Sequence, residues 1–174
     1  MDKSKQKKMT QILQKTLGMH IYRVYRAADM PCIVFASKDS ENEDGDFHIH
    51  AECPVRVSLH GVPLLCVNDM YLPDSNTTQE EFNKSADKKP ISMYDERAKK
   101  LERASAVIKS AECSEDGDLL FAFDDESCMT VFPIGANEDE EWRIIDKGGE
   151  RHIVYRGNGT LEMIAVNTDM KQNR

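Results

Sequence analysis

Short segments in which apolar and polar residues alternate dominate this chain, and most of them are bounded by glycine, proline, asparagine or aspartate. A period of two is typical of β-strands with one buried face, and the short connections favour antiparallel neighbours. The segments form two sets, at 20–27, 32–37, 47–52, 55–60 and 62–67, and at 105–113, 118–124, 128–133, 141–146, 151–156 and 160–166. The pattern therefore predicts a mostly antiparallel β-structure.

Two segments have a helical period instead. Apolar residues recur at helical spacing within 4–17, and Gly18 follows as a C-terminal cap. A shorter helix is predicted at 96–104, with Asp95 as its N-cap. The region 69–104 has a weak apolar pattern and connects the two sets of strands. The fold class predicted is α+β, with an N-terminal helix and one short connecting helix.

The two sets of strands resemble each other in order and in the placement of turns. The matching pairs are 32–37 with 118–124, 47–52 with 128–133, 55–60 with 141–146, and 62–67 with 151–156. We predict a single domain, 1–174, in which two β-meander halves, about 19–68 and 105–167, pack as a sandwich or split barrel. A chance likeness among short alternating strands is the alternative to a duplication.

The charge balance restricts the possible partners. The 174 residues carry 31 acidic and 23 basic side chains, a net charge of −8, so a general nucleic-acid binder is not expected. An acidic surface favours solubility and attracts basic partners. No segment has the roughly 18 consecutive apolar residues of a membrane span. No secretory signal pattern is present, so the sequence predicts a cytoplasmic protein without a membrane partner.

No residue pattern indicates a catalytic centre. The five cysteines are scattered, include no C-x-x-C pair, and fit buried thiols in a reducing compartment. The glycine pairs lie between strands, where they form hairpin turns and not phosphate-binding loops. Neither a nucleophile elbow nor a triad spacing occurs. We therefore predict no catalytic residue and no cofactor.

The histidines of one strand suggest a metal site as a second hypothesis. His48 and His50 lie two residues apart, so a strand places both imidazoles on one face. Cys53, His60 and Cys66 are the residues that would complete a site. The spacing matches no zinc pattern, and strand histidines beside an acidic loop are the simpler interpretation. We therefore predict that no metal is bound.

Arg56 and Arg143, eighty-seven residues apart, occupy matching positions in two predicted strands. Each lies between two apolar residues, so alternation places its guanidinium on the face away from the core. Glu52 is the expected carboxylate partner of Arg56, and Glu140 or Glu141 that of Arg143. An ion pair that stabilises the fold and a contact to an anion or protein partner both remain open.

Two acidic stretches are candidate partner-binding surfaces. One is the loop at 39–46, which fails the ligand pattern of a calcium loop. The other is 138–141, immediately before Trp142, the only tryptophan. A large aromatic in a β-protein usually belongs to the core, and the alternative is an interface anchor.

Several short motifs follow one another along the chain: R-x-x-x-A-A-D-M (23–30), C-P-x-R (53–56), N-D-M-Y-x-P (68–73), G-D-L-x-x-x-F (117–123), V-F-P (131–133), E-E-W-R (140–143) and H-I-V (152–154). Their order resembles that of small bacterial proteins of the polymorphic-toxin immunity type, which are encoded singly or beside toxin genes. Val55 stands where such proteins often carry tryptophan. The resemblance implies no catalytic residue.

Two functions follow as hypotheses. The first is a protein-binding module, an immunity protein that neutralises a basic toxin domain by direct binding; its candidate contacts are Glu41, Glu43, Asp44, Arg56, Glu138, Asp139, Glu140, Trp142 and Arg143. The second is a small-ligand-binding or metal-dependent enzyme domain, which requires His48, His50, Arg56 and Arg143 to converge. No oligomeric state follows from either.

Overall fold

The computed structural model describes residues 1–85, 90–149 and 151–165. The last two residues of the predicted second half, 166–167, lie outside this range, as do 86–89 of the connecting region. The helices are α1 (Lys3–Leu13), α2 (Gln79–Lys84) and α3 (Met93–Ala104). The strands are β1 (His20–Ala27), β2 (Met30–Ala36), β3 (Phe47–Ala51), β4 (Val55–Leu59), β5 (Val62–Cys66), β6 (Ile108–Cys113), β7 (Leu119–Phe123), β8 (Ser127–Val131), β9 (Glu140–Asp146), β10 (Arg151–Arg156) and β11 (Leu161–Ala165).

The strands form two antiparallel sheets that pack face to face. The six-stranded sheet has the order β1-β2-β3-β9-β10-β11, and the five-stranded sheet has the order β5-β4-β8-β7-β6. Inward-facing side chains of both sheets share one apolar core. Phe35 of β2 meets Phe121 of β7 across it, with ring centroids 5.3 Å apart. The predicted α+β sandwich is confirmed.

Each half of the chain contributes to both sheets. β1, β2 and β3 form one side of the six-stranded sheet, and the chain then crosses over so that β4 and β5 join the five-stranded sheet. The second half does the reverse, with β6 to β8 in the five-stranded sheet and β9 to β11 in the six-stranded one. The halves meet where β3 pairs with β9 and where β4 pairs with β8. Neither half therefore forms a sheet of its own.

The two halves are related by an approximate two-fold axis. His20 and Val107, which stand at the same offset of eighty-seven residues, form an antiparallel bridge with each other. Contact between equivalent residues is what a two-fold relation produces. Gly18 and Ser105, two positions earlier in each half, both have positive φ angles, of 82° and 50°. The helices are exchanged too, since α1 packs against β6 and α3 against β1.

The helix ends differ from prediction in detail. α1 stops at Leu13, and a 3-10 turn, Gln14–Thr16, covers the rest of the predicted helix. The N-cap of α3 is Ser92, so the prediction of Asp95 for that role is wrong. Asp95 is the third helical residue and accepts the Ser92 backbone N–H at 2.9 Å, which completes a capping box. α2 was not predicted.

Trp142 joins the two sheets through the β6–β7 turn. Its indole Nε1 donates to the carbonyl of Gly117 at 2.9 Å, and its ring stacks on Tyr155 at 5.1 Å. The Tyr155 hydroxyl donates to the carbonyl of Asp116 at 2.9 Å. Gly117 has φ of 91°, and a Cβ there would collide with the Tyr155 ring. Only glycine fits this turn, which the two aromatic side chains hold.

Within the described ranges, no helix is long and apolar enough to cross a membrane.

The exchange of strands predicts that the halves depend on each other. We expect residues 1–85 and 90–174, expressed as separate chains, to remain unfolded alone, because each leaves one edge of its third strand unpaired. Mixed together they should form a folded one-to-one complex, measured by circular dichroism and light scattering. Ile49→Asp, which places a charge at the buried β3–β9 junction, should abolish assembly. Independent folding of either fragment would contradict the exchange.

Candidate binding surface on the six-stranded sheet

Strands β3 and β9 place His48, His50 and Arg143, three of the residues singled out from the sequence, on the outer face of the six-stranded sheet. In β9, Trp142 and Ile144 point into the core, so Arg143 and Ile145 point outward. In β3, His48 and His50 are outward for the same reason, and His50 lies directly opposite Arg143. The sequence predicts the outward placement of Arg143 and a common face for the two imidazoles, and the strand pairing brings these side chains together.

Three imidazoles occupy this outer face. His48 and His152 flank Ile145 from the two neighbouring strands, and the ring centroids of His48 and His50 are 6.3 Å apart. The Nε2 atoms of His48 and His50 are sealed from solvent, and neither has a hydrogen-bond partner among the described residues. A buried polar atom without a hydrogen-bond partner lowers the stability of the folded state, so these two histidines destabilise the fold at this face.

Burial and neighbouring cations favour the neutral form of these histidines. Burial is the largest cause of the lowered pKa of His48, and the charge of Lys147 adds to it. Burial followed by the charge of Arg143 lowers the pKa of His50 and of His152. Glu140 acts in the opposite direction on His50 and His152 but does not outweigh the other causes. Near neutral pH the face therefore carries three uncharged imidazoles.

The residues of the metal hypothesis do not meet at one point. Cys53 is buried in the core, whereas His48 and His50 face outward. His60 lies in the β4–β5 hairpin, where its Nε2 is 3.3 Å from a carboxylate oxygen of Glu126. Cys66 ends β5 in the other sheet. Among the described residues, no group of three or more histidine, cysteine, aspartate or glutamate side chains could hold a metal ion.

Arg143 pairs with one of its two predicted carboxylate partners. Its Nε and its terminal nitrogen lie 3.0 and 2.7 Å from the two oxygens of Glu140, and this pair raises the pKa of the guanidinium. Glu141 is buried and instead accepts the backbone N–H groups of Ile134 at 3.0 Å and Gly135 at 2.8 Å. Glu140 thus orients the arginine, and Glu141 fixes the segment before β9.

Arg56 lies on the other sheet, away from the histidines. Its guanidinium is 5.8 Å from the ring centroid of Phe132, and it makes no ion pair with Glu52 among the described residues. The predicted Arg56–Glu52 pair is therefore wrong. The four-residue convergence that the enzyme hypothesis requires is wrong as well, because the two sheets turn their outer faces in opposite directions. Matching positions in the halves have acquired different surroundings.

Trp142 is fully buried and cannot contact a partner in this conformation. The structure bears out its interpretation as a core aromatic.

The acidic loop between β2 and β3 is rigidly built. The carboxylate of Asp46 accepts hydrogen bonds from the Ser37 N–H and hydroxyl and from the Ser40 hydroxyl, at 2.8, 3.0 and 2.6 Å. Burial alone would raise the pKa of Asp46, but these hydrogen bonds more than offset it and the pKa is lowered. The loop therefore holds its exposed carboxylates, those of Glu41, Glu43 and Asp44, in a defined place.

The two acidic stretches lie at opposite ends of the β3–β9 pair. Phe47 faces Asp146 at the end near the acidic loop, and Ala51 faces Trp142 at the end near 138–141. At a strand rise of about 3.3 Å per residue, these ends are about 13 Å apart. The outer face thus has acidic ends and a centre of histidine and arginine. Sequence reasoning found the acidic stretches but could not place them on one surface.

No protein-family model, no curated protein and no solved structure matches this chain.

The buried histidines predict an acid-sensitive fold. Their folded-state pKa values lie below the unfolded value of about 6.5, so the unfolded chain takes up protons that the folded chain resists. The histidine contribution to stability is present above about pH 6.5 and is lost as the pH falls below it. We expect the free energy of unfolding, measured with urea, to fall between about pH 7.5 and about pH 5.

A double variant tests the source of this loss. His48→Gln/His50→Gln should reduce the pH dependence, whatever its effect on stability at neutral pH. The matched control is His60→Asn, because the His60 side chain is 68% exposed; it should keep the original dependence. Equal slopes for the double variant and the unchanged protein would contradict the assignment.

Proposed function

We propose that this chain is a protein-binding module that docks a basic partner on the outer face of its six-stranded sheet. The observation that carries the proposal is a set of exposed carboxylates that form no ion pair with the described residues. Among the described residues, no lysine, arginine or histidine nitrogen lies within 4.0 Å of the acidic side chains at Glu41, Glu43, Asp44, Glu138 and Asp139.

Unpaired surface carboxylates attract a basic partner over several ångströms. With a net charge of −8, the protein also repels acidic competitors. The acidic ends of the surface give the partner two separated points of attraction, which favour one orientation over others. Glu140 is already paired with Arg143, so its role in the proposal is to hold that arginine, not to meet the partner.

An open cleft beside the second acidic stretch adds an apolar contact. The carboxylates of Glu52 and Asp139 line it together with Ile134, which is 73% exposed. A lysine or arginine of a partner could place its charged end among the carboxylates while its aliphatic stem covers Ile134. A site of this kind suits the side chain of a basic protein.

The partner class that we propose is a basic toxin domain, which this protein neutralises by direct binding in the cytoplasm. The motif order resembles that of immunity-type proteins, and an inhibitor that covers a toxin surface needs no catalytic group of its own. Charge complementarity would also make association fast, as neutralisation inside the producing cell requires.

Charge reversal at the two acidic stretches tests the proposal. We expect Glu41→Lys/Glu43→Lys/Asp44→Lys, and separately Glu138→Lys/Asp139→Lys, to slow association with a toxin domain encoded beside this gene by about ten-fold or more at low salt. Thermal stability should change little, since these side chains are exposed. Stopped-flow or surface plasmon resonance measures the rate.

The matched control is Glu115→Lys/Asp116→Lys, which alters two exposed acids in the β6–β7 turn. This variant should keep the original association rate. Unchanged rates in both test variants would remove the proposed surface.

A further inference from the structure

A second surface of opposite charge lies on the inner side of the six-stranded sheet, beside α1. Here a groove runs between the helix and the strands β10 and β11. Its floor is apolar, formed by Ile12 of the helix, Ile153 of β10 and Met163 of β11. Ile153 and Met163 are direct cross-strand neighbours. The groove adjoins the acidic-loop end of the β3–β9 pair, since Lys15 and Asp146 also line the depression beside Glu41.

The rim of this groove is basic although the protein as a whole is acidic. Lys8 of α1 and Lys15 of the 3-10 turn that follows it stand four residues before and three residues after Ile12, and both line the groove. Arg151 supplies the third cation from the strand side. Lys15 is paired with Asp146 at 2.5 Å, whereas Lys8 and Arg151 have no carboxylate within 4.0 Å among the described residues. Two cations therefore remain to meet an acidic ligand.

The corresponding region beside α3 in the other half of the chain is filled by side chains of the protein itself. There α3 packs against β5 and against the 3-10 turn Val67–Tyr71 that follows it. Met70 of this turn is buried in the core. The carboxylate of Asp69 receives a 2.7 Å contact from the guanidinium of Arg97 on α3. On the α3 side, the space between helix and sheet is therefore filled by Asp69, which pairs with a cation of the helix, and by Met70, which directly follows it and is buried.

We propose that the groove beside α1 binds a peptide segment of a partner protein in which a carboxylate directly precedes a large apolar side chain. The carboxylate would meet Lys8 and Arg151, and the apolar side chain would cover Ile12 and Met163. Charge complementarity favours this ligand, because the rim of the groove is basic although the protein as a whole has a net charge of −8. The ligand has the chemistry that the chain itself uses on its α3 side.

A capped hexapeptide with the sequence of residues 67–72, V-N-D-M-Y-L, serves as the probe. It is titrated into the full-length, isotope-labelled protein and followed by NMR chemical shifts. We expect shifts confined to α1, β10 and β11. The peptide with asparagine in place of aspartate should bind about ten-fold more weakly, since it lacks the charge. Shifts at α3 and β5 in place of these would overturn the proposal, as would equal binding of the two peptides.

Substitutions in the groove provide the second test. Lys8→Glu/Arg151→Glu should weaken peptide binding by at least about ten-fold, and both side chains are exposed, so the fold should persist. The matched control is Lys7→Glu, which changes an exposed neighbour outside the groove and should leave binding unchanged. Equal losses in the control and the test variant would show a general charge effect and overturn the proposal.

The chain's own C-terminal sequence is the competing occupant. Residues 166–170 read V-N-T-D-M, similar to V-N-D-M at 67–70, and lie outside the described residues. Asp169→Lys/Met170→Ser in the full-length protein separates the two cases. If the peptide binds this variant and fails to bind the unchanged protein, the groove belongs to the chain's own segment and the proposal of a partner ligand is wrong. Similar binding to both forms supports it.

Discussion

The pairing of β3 with β9 and of β4 with β8 is the constraint on which the rest of the structure depends. Each half builds a three-stranded meander and leaves the backbone N–H and C=O groups of its last strand without partners on one edge. Only strands of the other half satisfy those groups. The same crossing buries one face of both sheets against each other, so hydrogen bonding and apolar burial require the same exchange.

The exchange also creates the outer face proposed for binding. It sets His50 opposite Arg143, residues that are ninety-three positions apart in the chain, and it places the two acidic stretches at the two ends of one strand pair. Arg56 shows the alternative outcome at the matching position, where an aromatic ring takes the place of the carboxylate partner. The same order of strands in the two halves thus carries two surfaces of different chemistry.

Helices α1 and α3 pack against β6 and β1, and their surroundings differ. α3 is joined by a segment that buries Met70 and pairs Asp69, whereas α1 leaves a basic groove. The described residues therefore include exposed carboxylates at both ends of the β3–β9 pair and a basic rim beside α1. The proposals for these two regions accordingly call for ligands of opposite charge.

The sequence by itself determined the approximate positions of the eleven strands in the described residues, because period-two alternation is typical of half-buried strands. Alternation did not determine every inward face, since bulges in β1 and β6 bury Ile21 together with Val24 and Ile108 together with Ala111. The sequence also determined the N-terminal helix and the likeness of the halves. It gave no information on which strands pair across the halves, since alternating segments are interchangeable in that respect. Only the tertiary structure decided that Glu141 is buried on backbone N–H groups, that Ser92 and not Asp95 caps α3, and that Arg56 and Arg143 face in opposite directions. The placement of the two arginines depends on contacts between residues that are distant in the chain. The cap of α3 and the burial of Glu141 depend on a choice between neighbouring polar residues, which a local sequence pattern does not distinguish.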